Sequence, residues 1–351
     1  MKKFNVAVIG CGRIAHKHFE SLKKMDNVEL TGLAEIKADR LNRHSNELKV
    51  KGYIDFHEML DEQSIDVVEV LTPSGSHADI AIEVMKRGKH VIVEKPMALR
   101  VEDAYRMIET ADKYNVKLFV VKQNRFNSAV QKARTAFKEN RFGKLVLGTV
   151  RVRWSRNQAY YDQDSWRGTW AQDGGVFTNQ ASHHIDLLQW FMGPVESAMA
   201  FTSKALVNIE AEDTGVAVLR FVSGALGVIE ATTATRPKDL EGSLSILGEK
   251  GTVEIGGFAV NQIKVWNFTE QLPEDSQIRD DIEAPPPNVY GFGHGPYLQH
   301  VFNSLANGKP ALVEGLEGIK SVEIINAIYE SAATGKQVKI HNMYRNSMLG
   351  R

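Results

Sequence analysis

Short apolar runs alternate with amphipathic stretches along the first third of the chain. The strand-like runs lie at residues 4–10, 28–34, 67–72, 90–94 and 117–121. Helical periodicity occupies the intervals at residues 14–25, 38–48, 77–87 and 102–114. Strands and helices in strict alternation are typical of a parallel sheet that carries helices on both faces. The pattern therefore predicts a doubly wound α/β domain over residues 1–122.

The hydrophobic pattern changes after about residue 122. A helical stretch at residues 128–139 is followed by longer strand-like segments at 145–154, 213–222, 225–234, 243–248 and 252–257. Glycine-containing turns at 222–225 and 248–251 suit antiparallel hairpins. Helical periodicity returns at 297–306 and 318–333, and the proline-rich, acidic residues 272–290 are predicted to be a surface excursion. Residues 123–342 are thus predicted to form an α+β domain with a mainly antiparallel open sheet.

Composition narrows the classes of function. The chain has 351 residues, and its 43 Lys and Arg residues balance 43 Asp and Glu residues. A binder of nucleic acid or of an anionic membrane normally shows a cationic excess, so neither partner is expected. Cys11 is the single cysteine, which excludes an intramolecular disulfide and a cysteine-based metal cage. With no run of roughly 20 apolar residues and no signal peptide, a cytoplasmic protein is expected.

A glycine motif follows the first predicted strand. Gly10, Gly12 and Ala15 form G-x-G-x-x-A between this strand and the first helix, and Glu35 closes the second strand. This context is typical of a dinucleotide-binding Rossmann domain, in which the pyrophosphate binds the helix N-terminus. A carboxylate at Glu35 suits the ribose hydroxyls of NAD and repels the extra phosphate of NADP. Nearby Lys37 and Arg40 could bind the extra phosphate, so NADP is not excluded, but NAD is favoured.

Polar residues also follow the third and fourth strand-like runs. Thr72-Pro73-Ser74 comes after the first of these, and Glu94-Lys95-Pro96 after the second. The carboxyl ends of parallel strands are where such sheets bind ligands. Thr72-Pro73-Ser74 is equally compatible with a plain polar turn. Lys95, held between a buried strand and a proline, is the stronger candidate for a functional side chain.

Two adjacent histidines, His183 and His184, lie in a segment that can be read as a helix from Asn179 to Met192. At about 100° per residue, Asn179, Asp186 and Trp190 fall within roughly 60° of His183. His184 falls beside Leu188 and Phe191 instead. His183 is therefore predicted on the polar face and His184 in packing. Because adjacent helical residues diverge, the pair is a poor metal site, and no metal is expected.

These motifs occur together in one known family. They are G-x-G-x-x-A at 10–15, Thr72-Pro73, Glu94-Lys95-Pro96, and Gly174-Gly175 ahead of His183 and Asp186. The chain resembles the glucose-fructose oxidoreductase, inositol dehydrogenase and MocA family over nearly its whole length. QNRF at 123–126, SWRGTW at 165–170, the segment 174–186 and GFGHGPYLQH at 291–300 look like the branch that oxidises UDP-N-acetylglucosaminuronate at the C3 hydroxyl. That branch serves the synthesis of diacetamido-uronic acids for bacterial surface polysaccharides such as O-antigen.

The resemblance implies a catalytic pair, Lys95 and a histidine of the second domain, and the family alignment selects His183. It also implies a cis peptide bond before Pro96 and a homo-oligomer, with a tetramer favoured, that assembles through the open sheet faces. The family usually has an aspartate four residues before the histidine, but this chain has Asn179. An amide cannot exchange a proton near neutral pH. We therefore expect His183 as general base and Lys95 as the group that stabilises the alkoxide, although the two roles are exchangeable.

The predicted contacts divide into two sets. The set for NAD comprises Gly10, Gly12, Arg13, Ile14, Glu35, Lys37, Arg40, Thr72, Pro73, Ser74, His77, Glu94, Lys95 and Gln123. The set for a UDP-sugar comprises Lys95, Arg125, Trp166, Arg167, Asn179, His183, Tyr290 and His294. A nucleotide sugar with a C6 carboxylate needs cations, and Arg125 and Arg167 are the arginines chosen for this purpose.

Two alternatives remain open from the sequence. A dehydrogenase of a free polyol such as an inositol would leave the concentration of arginines unexplained. A regulator that binds NAD or a sugar without turnover would not need both Lys95 and His183. If the chain makes a 3-keto nucleotide sugar, an aminotransferase is the expected downstream partner.

Overall fold

The computed structural model describes residues 2–280, 291–341 and 343–351. It divides into two compact units. The first contains Met1–Val121 and His294–Ile319, and the second contains Lys122–Gly293 and Lys320–Arg351. The sequence predicts a division at residue 122 and places residues 294–319 in the second domain. In the structure these residues pack with the first unit instead.

The first unit is a parallel sheet with helices. Its elements are β1 Phe4–Ile9, α1 Ala15–Leu22, β2 Val28–Ala34, α2 Ala38–Leu48, β3 Gly52–Tyr53, α3 Phe56–Glu62, β4 Val67–Val70, α4 His77–Lys86, β5 His90–Val93, α5 Val101–Lys113 and β6 Leu118–Val120. The strand order is β3-β2-β1-β4-β5-β6, and the paired strands are parallel. This order reverses between β1 and β4, as in dinucleotide-binding domains. The predicted Rossmann fold is confirmed.

The central strands of this sheet are apolar because both faces are covered. Every residue of β4 is buried, and in β1 all but Asn5 are buried. Such strands read as continuous apolar runs in the sequence, which made them easy to predict. The sequence analysis missed β3 and α3, because a two-residue strand and a seven-residue helix are too short to show periodicity.

The later part of the chain contributes a helix to the first unit. Helix α10 spans His294–Asn307, and its Phe302 ring lies 5.7 Å from the ring of Phe4. Periodicity alone identified a helix here, but it could not show against which sheet the helix packs. Helix α11, Gly315–Thr334, begins in the first unit and ends in the second.

The second unit is built on a mixed sheet. Its elements are α6 Ser128–Lys138, β7 Leu145–Arg153, α7 Gln158–Tyr161, α8 Ser182–Met192, β8 Val195–Ser203, β9 Thr214–Phe221, β10 Leu226–Thr232, β11 Glu241–Gly248, β12 Gly251–Gly256, β13 Gln262–Phe268, α9 Glu274–Asp280 and β14 Val338–Lys339. The order is β13-β12-β11-β7-β10-β9-β8-β14. Only the β7–β10 pair among these described strands is parallel. The predicted mainly antiparallel α+β domain is confirmed.

One face of the mixed sheet is packed and the other is open. Buried and exposed residues alternate along β9, as expected for a strand with one covered face. Helix α8 lies on the covered face, where a Cβ on Gly148 would be 2.6 Å from Leu188 and 2.8 Å from Met192. The close approach of helix and strand therefore requires glycine at residue 148. Strands β8 and β13 were missed, since β8 is rich in alanine and serine and has few β-branched residues.

Helix α8 begins at Ser182, three residues later than the sequence analysis assumed. Residues 179–181 form a turn ahead of it. Within the described ranges, none of the helices combines the length and apolar composition needed to cross a bilayer.

Candidate active site

The glycine turn after β1 has the shape that a dinucleotide requires. Gly10 has a φ of +98°, and a Cβ there would lie 2.8 Å from the backbone of Leu71, so only glycine fits. At Gly12, by contrast, no heavy atom of the described residues lies within 4 Å of the place a Cβ would take. The backbone is therefore open on this side, just before the N-terminus of α1. These residues fit the diphosphate of a bound NAD.

Glu35 stabilises the same turn. Its two carboxylate oxygens each accept a backbone N–H, from Cys11 and from Lys37, both at 2.9 Å. A carboxylate has lone pairs beyond these two hydrogen bonds, so Glu35 can still accept from ribose hydroxyls. Burial and the neighbouring Glu35 raise the pKa of the Cys11 thiol to about 12. Arg13 and Lys37 are exposed, while Ile14 and Arg40 are half-buried at the surface near the turn.

His77 connects two turns at the carboxyl ends of the strands. Its Nε2 lies 2.8 Å from the carbonyl oxygen of Thr72, and its Nδ1 lies 2.8 Å from that of Pro96. The side chain is buried, and both ring nitrogens are engaged. A contact of His77 with NAD stays a prediction, and its ring nitrogens are engaged by the protein's own carbonyl oxygens. His77 holds the Thr72-Pro73-Ser74 turn, which stays half-buried at the surface, against the turn that contains Lys95.

Lys95 lies at the end of β5 on a turn whose Lys95–Pro96 bond is cis, as the family resemblance implies. Its backbone N–H donates to Oε2 of Glu94 at 2.9 Å, and its side chain is half-buried. The Glu94 carboxylate points into the unit, where Oε1 accepts from His18 Nε2 at 3.1 Å. The predicted contact between Glu94 and NAD stays a prediction. The Glu94 carboxylate stabilises the Lys95 turn by accepting the Lys95 backbone N–H.

His294 also lies beside Glu94. Its Nε2 is 3.7 Å from Glu94 Oε1, and its ring meets the His18 ring edge-on with centroids 5.5 Å apart. Only 3% of its surface is exposed. The sequence predicted that His294 and Tyr290 close over a nucleotide. His294 is a buried residue of the first unit, and Tyr290 lies outside the described residues, so this role stays a prediction.

In the second unit, the candidate base His183 lies in the first turn of α8. Its Nε2 is 3.0 Å from Nε2 of Gln123, whose amide donates to it, and 8% of the residue is exposed. An amide N–H donates, so Nε2 of His183 accepts this hydrogen bond through its lone pair. Gln123 was predicted to contact NAD. That contact stays a prediction, and the structure adds that the Gln123 amide nitrogen orients His183.

Asn179 precedes the helix rather than forming part of it. Its side-chain amide donates to Oδ1 of Asp173, and Oδ2 of Asp173 accepts the N–H of Gly168 at 2.8 Å. The amide that replaces the usual family aspartate thus faces a carboxylate. Asn179 lies in a turn and not on the helix, so it does not share a helical face with His183.

Asp186 anchors a buried charge cluster. Its two oxygens accept from Nε and Nη2 of Arg125, each at 2.8 Å, and Lys122 Nζ lies 3.5 Å away. Burial alone would raise the pKa of Asp186, but Arg125 and Lys122 hold it below its usual value. The Arg125 guanidinium also lies 4.7 Å from the Trp190 ring, and the residue is 0% exposed. The charge of Arg125 is thus balanced by Asp186 inside the unit, and a role for Arg125 in substrate binding stays a prediction.

Arg167 is the more available of the two predicted arginines. Its guanidinium lies 4.5 Å from the Trp166 ring and 4.7 Å from the Tyr160 ring, and Nη1 donates to the Tyr160 hydroxyl at 2.9 Å. Asp164 is 3.8 Å away. Stacking on two rings fixes the direction of a planar guanidinium without consuming all five of its donors. Arg167 and Trp166 remain predicted substrate residues.

His184 packs as the sequence predicts. It is fully buried, and its ring meets Trp154 edge-on with centroids 5.9 Å apart. Burial lowers the pKa of His184 to about 3, so the ring is neutral. Within the described part of the chain, no hydrogen bond reaches either ring nitrogen.

The sequence analysis missed a polar network beneath the loop that leads to His183. Oε1 of the buried Glu212 accepts the Phe177 N–H at 3.1 Å and the Tyr329 hydroxyl at 2.9 Å. The Tyr329 oxygen in turn accepts from the Thr178 hydroxyl at 2.9 Å and the Gly175 N–H at 3.2 Å. Burial raises the pKa of Glu212 to about 7. The signal that could have revealed it is an acidic pair, 212–213, directly before an apolar strand.

Both units match models of one protein family. Residues 4–122 match the oxidoreductase family model for the NAD-binding Rossmann fold. Residues 134–340 match the model for the C-terminal alpha/beta domain of the same family. The chain belongs to the GFO/IDH/MocA oxidoreductase family. This confirms the predicted family. It also confirms the NAD cofactor and the class of NAD-dependent sugar dehydrogenase.

Similar proteins of this family include dehydrogenases with known ligands. The WlbA dehydrogenase of Bordetella pertussis, in complex with NADH and UDP-GlcNAcA, is 42% identical with a TM-score of 0.91, covering 97% of this chain and 98% of that chain. The WlbA dehydrogenase of Chromobacterium violaceum, in complex with the same ligands, is 43% identical with a TM-score of 0.92, covering 98% of both. Myo-inositol 2-dehydrogenase of Thermotoga maritima is 28% identical, covering 96% of this chain and 99% of the relative.

Proposed function

We propose that the protein oxidises the C3 hydroxyl of UDP-N-acetylglucosaminuronate to the 3-keto sugar with NAD⁺. One observation carries this proposal: at 42–43% identity over nearly the whole chain, the protein is similar to two dehydrogenases in complex with NADH and UDP-GlcNAcA. The similarity to the inositol dehydrogenase is weaker, at 28%. Substrate choice follows the side chains of the site rather than the fold, so the closer match is the better guide.

The described residues suit the proton transfer that this reaction needs. When bound, NAD⁺ supplies the acceptor for the hydride of the alcohol carbon. His183, oriented by the Gln123 amide, is the proposed general base for the hydroxyl proton. Lys95 is the proposed cation that stabilises the developing alkoxide. The family resemblance assigns both to the same reaction.

The sugar end of the substrate carries negative charge. Arg167, which is oriented by Trp166 and Tyr160, is the proposed partner of a carboxylate or phosphate oxygen. Asn179 is proposed to hold the substrate by hydrogen bonding while Asp173 fixes its amide. Asn179 does not titrate, so the proton must pass through His183 or Lys95.

The decisive test is a substrate panel with NAD⁺, followed by NADH absorbance. We expect turnover of UDP-N-acetylglucosaminuronate and little or none of UDP-N-acetylglucosamine, which lacks the carboxylate, or of myo-inositol. Substrate deuterated at C3 should transfer its deuterium to the nicotinamide, which a C2 or C4 oxidation would not do. Turnover of myo-inositol without turnover of any nucleotide sugar would overturn the proposal in favour of the polyol alternative. Binding without turnover in the whole panel would favour the non-catalytic regulator.

We also propose that the protein forms a homo-oligomer, with a tetramer favoured, through the open face of the mixed sheet. Exposed apolar residues adjoin one another across β8, β9 and β10, where Phe201 pairs with Val216 and Val218 pairs with both Met199 and Val228. Phe201 is 65% exposed and Val218 54%. Contiguous exposed apolar patches usually mark an interface. Light scattering should give a mass of two or more times the 39.2 kDa of one chain, and Val218→Asp should lower this mass. A monomeric wild type would refute the proposed oligomer.

A ketone at C3 is a substrate for transamination, so we propose an aminotransferase as the next enzyme. This order of steps fits a role in the synthesis of diacetamido-uronic acids for bacterial surface polysaccharides and a cytoplasmic location. Adding a purified aminotransferase with an amino donor should drive NADH formation further, because it removes the 3-keto product. An unchanged end point with a competent aminotransferase would argue against this partner.

A further inference from the structure

A buried histidine on α1 connects two glutamates of the parallel sheet. Nδ1 of His18 lies 2.8 Å from Oε2 of Glu69, and Nε2 lies 3.1 Å from Oε1 of Glu94. All three residues are buried, and His18 and Glu69 are 0% exposed. A carboxylate has no proton to donate, so each contact requires an N–H on the ring. With both glutamates ionised, we assign His18 as an imidazolium with both nitrogens protonated.

The charges around the ring support this state. Burial alone would lower the pKa of His18, but Glu69 and Glu94 raise it to about 10. The pKa of Glu94 is held well below its usual value: burial opposes this, while His18 and His294 favour the carboxylate. Two carboxylates and one imidazolium leave a formal charge of −1 inside the unit. The titratable groups of the described residues that face this cluster are Glu69, Glu94, Lys17, His77, His294 and Tyr297.

The cluster of His18, Glu69 and Glu94 is hydrogen-bonded to the backbone of Lys95. Oε1 of Glu94 accepts from His18, and Oε2 accepts the backbone N–H of Lys95 at 2.9 Å. A carboxylate held at both oxygens cannot rotate freely. Helix α1, which carries His18, begins directly after the glycine turn that fits the NAD diphosphate. His18 thus ties the cofactor turn to the turn that presents Lys95.

We propose that His18 is a positioning residue, which fixes the Lys95 turn through Glu94 and so sets where the Lys95 ammonium stands during the reaction. The proposal rests on the catalytic role of Lys95 proposed above. Without the imidazolium, Glu94 loses its fixed donor and two buried carboxylates face each other. The Glu94 side chain then reorients, and the Lys95 amide loses its acceptor.

The test uses two variants and a control. His18→Gln removes the cation, and His18→Gln/Glu69→Gln restores the formal charge of −1, so it should fold even if the single variant does not. An amide is too short to reach both carboxylate positions that the imidazole bridges. His16→Gln, an exposed histidine on the same helix that pairs with Glu20, is the matched control.

Two measurements do not depend on the substrate. ¹⁵N NMR of histidine-labelled protein should show one imidazole with both nitrogens protonated at pH 8, and this signal should vanish in His18→Gln. Hydrogen exchange at the Lys95 amide should be faster in the double variant than in wild type and unchanged in His16→Gln. Slow exchange at Lys95 in the double variant, or a neutral His18, would overturn the proposal. So would one tightly bound metal ion per chain, because His18, Glu94 and His294 offer ligand atoms within 4.8 Å of one another.

Kinetics then tests the functional consequence. We expect kcat of the double variant to fall about tenfold or more, with NADH affinity within about twofold of wild type, since small displacements of a reacting group cost rate rather than binding. An unchanged kcat would refute the positioning role even if exchange at Lys95 is faster. If wild type oxidises a different sugar, the proposed substrate fails, and the kcat comparison is made with the sugar that it does oxidise.

Discussion

The buried carboxyl of Glu212 provides the sharpest stability prediction. Glu212 accepts the Phe177 N–H and the Tyr329 hydroxyl through one oxygen, beneath the loop that leads to His183. Its other oxygen, Oε2, is buried without a hydrogen bond among the described residues. Burial raises the pKa of Glu212 from 4.5 to about 7, so the folded protein favours the neutral carboxyl. Glu212→Gln keeps the shape and the accepting oxygen but cannot ionise.

The direction and size of the stability change follow from the difference in the Glu212 pKa between the folded and unfolded chains. A carboxyl whose pKa is raised on folding binds a proton more tightly in the folded chain, so its contribution to stability is full below pH 4.5 and is lost as the pH rises through 7. With pKa values of 4.5 unfolded and about 7 folded, this contribution falls by about 2.5 kcal/mol between pH 5 and pH 8. The glutamine variant lacks this loss. Its free energy of unfolding should therefore rise relative to wild type by that amount across the interval.

Urea unfolding of both proteins at several pH values between 5 and 8 measures the difference directly. The matched control is Glu196→Gln, an exposed glutamate in the same unit, whose curve should run parallel to that of wild type. Parallel curves for wild type and Glu212→Gln would refute the reasoning, because they would mean that Glu212 has the same proton affinity folded and unfolded. A difference that grows toward low pH would show that the sign is wrong.

Three further predictions address the site. Glu35→Gln removes the carboxylate that suits ribose hydroxyls, so KM for NAD⁺ should rise about tenfold or more, as for loss of a hydrogen bond to a charged group. The ratio of kcat/KM for NAD⁺ to that for NADP⁺ should fall, and steady-state kinetics with both cofactors measures it. Gln123→Leu removes the amide that orients His183, and we expect kcat to fall about tenfold while KM for the sugar changes little. A tenfold rise in KM with an unchanged kcat would contradict this role. Arg125→Met leaves Asp186 with Lys122 as its remaining cation, and urea unfolding should show a loss of roughly 3–5 kcal/mol. Arg125→Met/Asp186→Leu should recover part of that loss, and no recovery would contradict the structural assignment of Arg125.

The sequence predicted the parts of the fold that have strong local signals. The strands β1, β4 and β5 are mainly apolar and largely buried, and the glycine turn has a strand before it and a helix after it. The hairpins of the mixed sheet were visible because their turns contain glycine. Short elements such as β3 and α3 lack enough residues to show a period, and α10 showed its period but not its partner sheet.

The sequence could not identify the partners of individual polar side chains, for a physical reason. A charged or polar side chain in a sequence can bind a ligand or satisfy a buried group of its own protein, and the two look alike. Arg125 proved to be the partner of Asp186, His77 holds two carbonyl oxygens, and Gln123 orients His183. Arg125 and Gln123 lie about 60 residues from their partners, so only the tertiary fold could show these pairings. Tyr329 is an extreme case, 117 residues from Glu212.

The single cysteine has a consequence for how the cofactor turn can be observed. Cys11 is buried in that turn, and its thiol has a pKa of about 12, so it forms little of the reactive thiolate at neutral pH. A thiol reagent can modify the native chain only when the turn opens. Because the chain has one cysteine, the labelling rate reports that opening without any engineered probe. Adding NAD⁺ should slow it in proportion to occupancy, which gives a direct measure of cofactor affinity in the absence of any sugar.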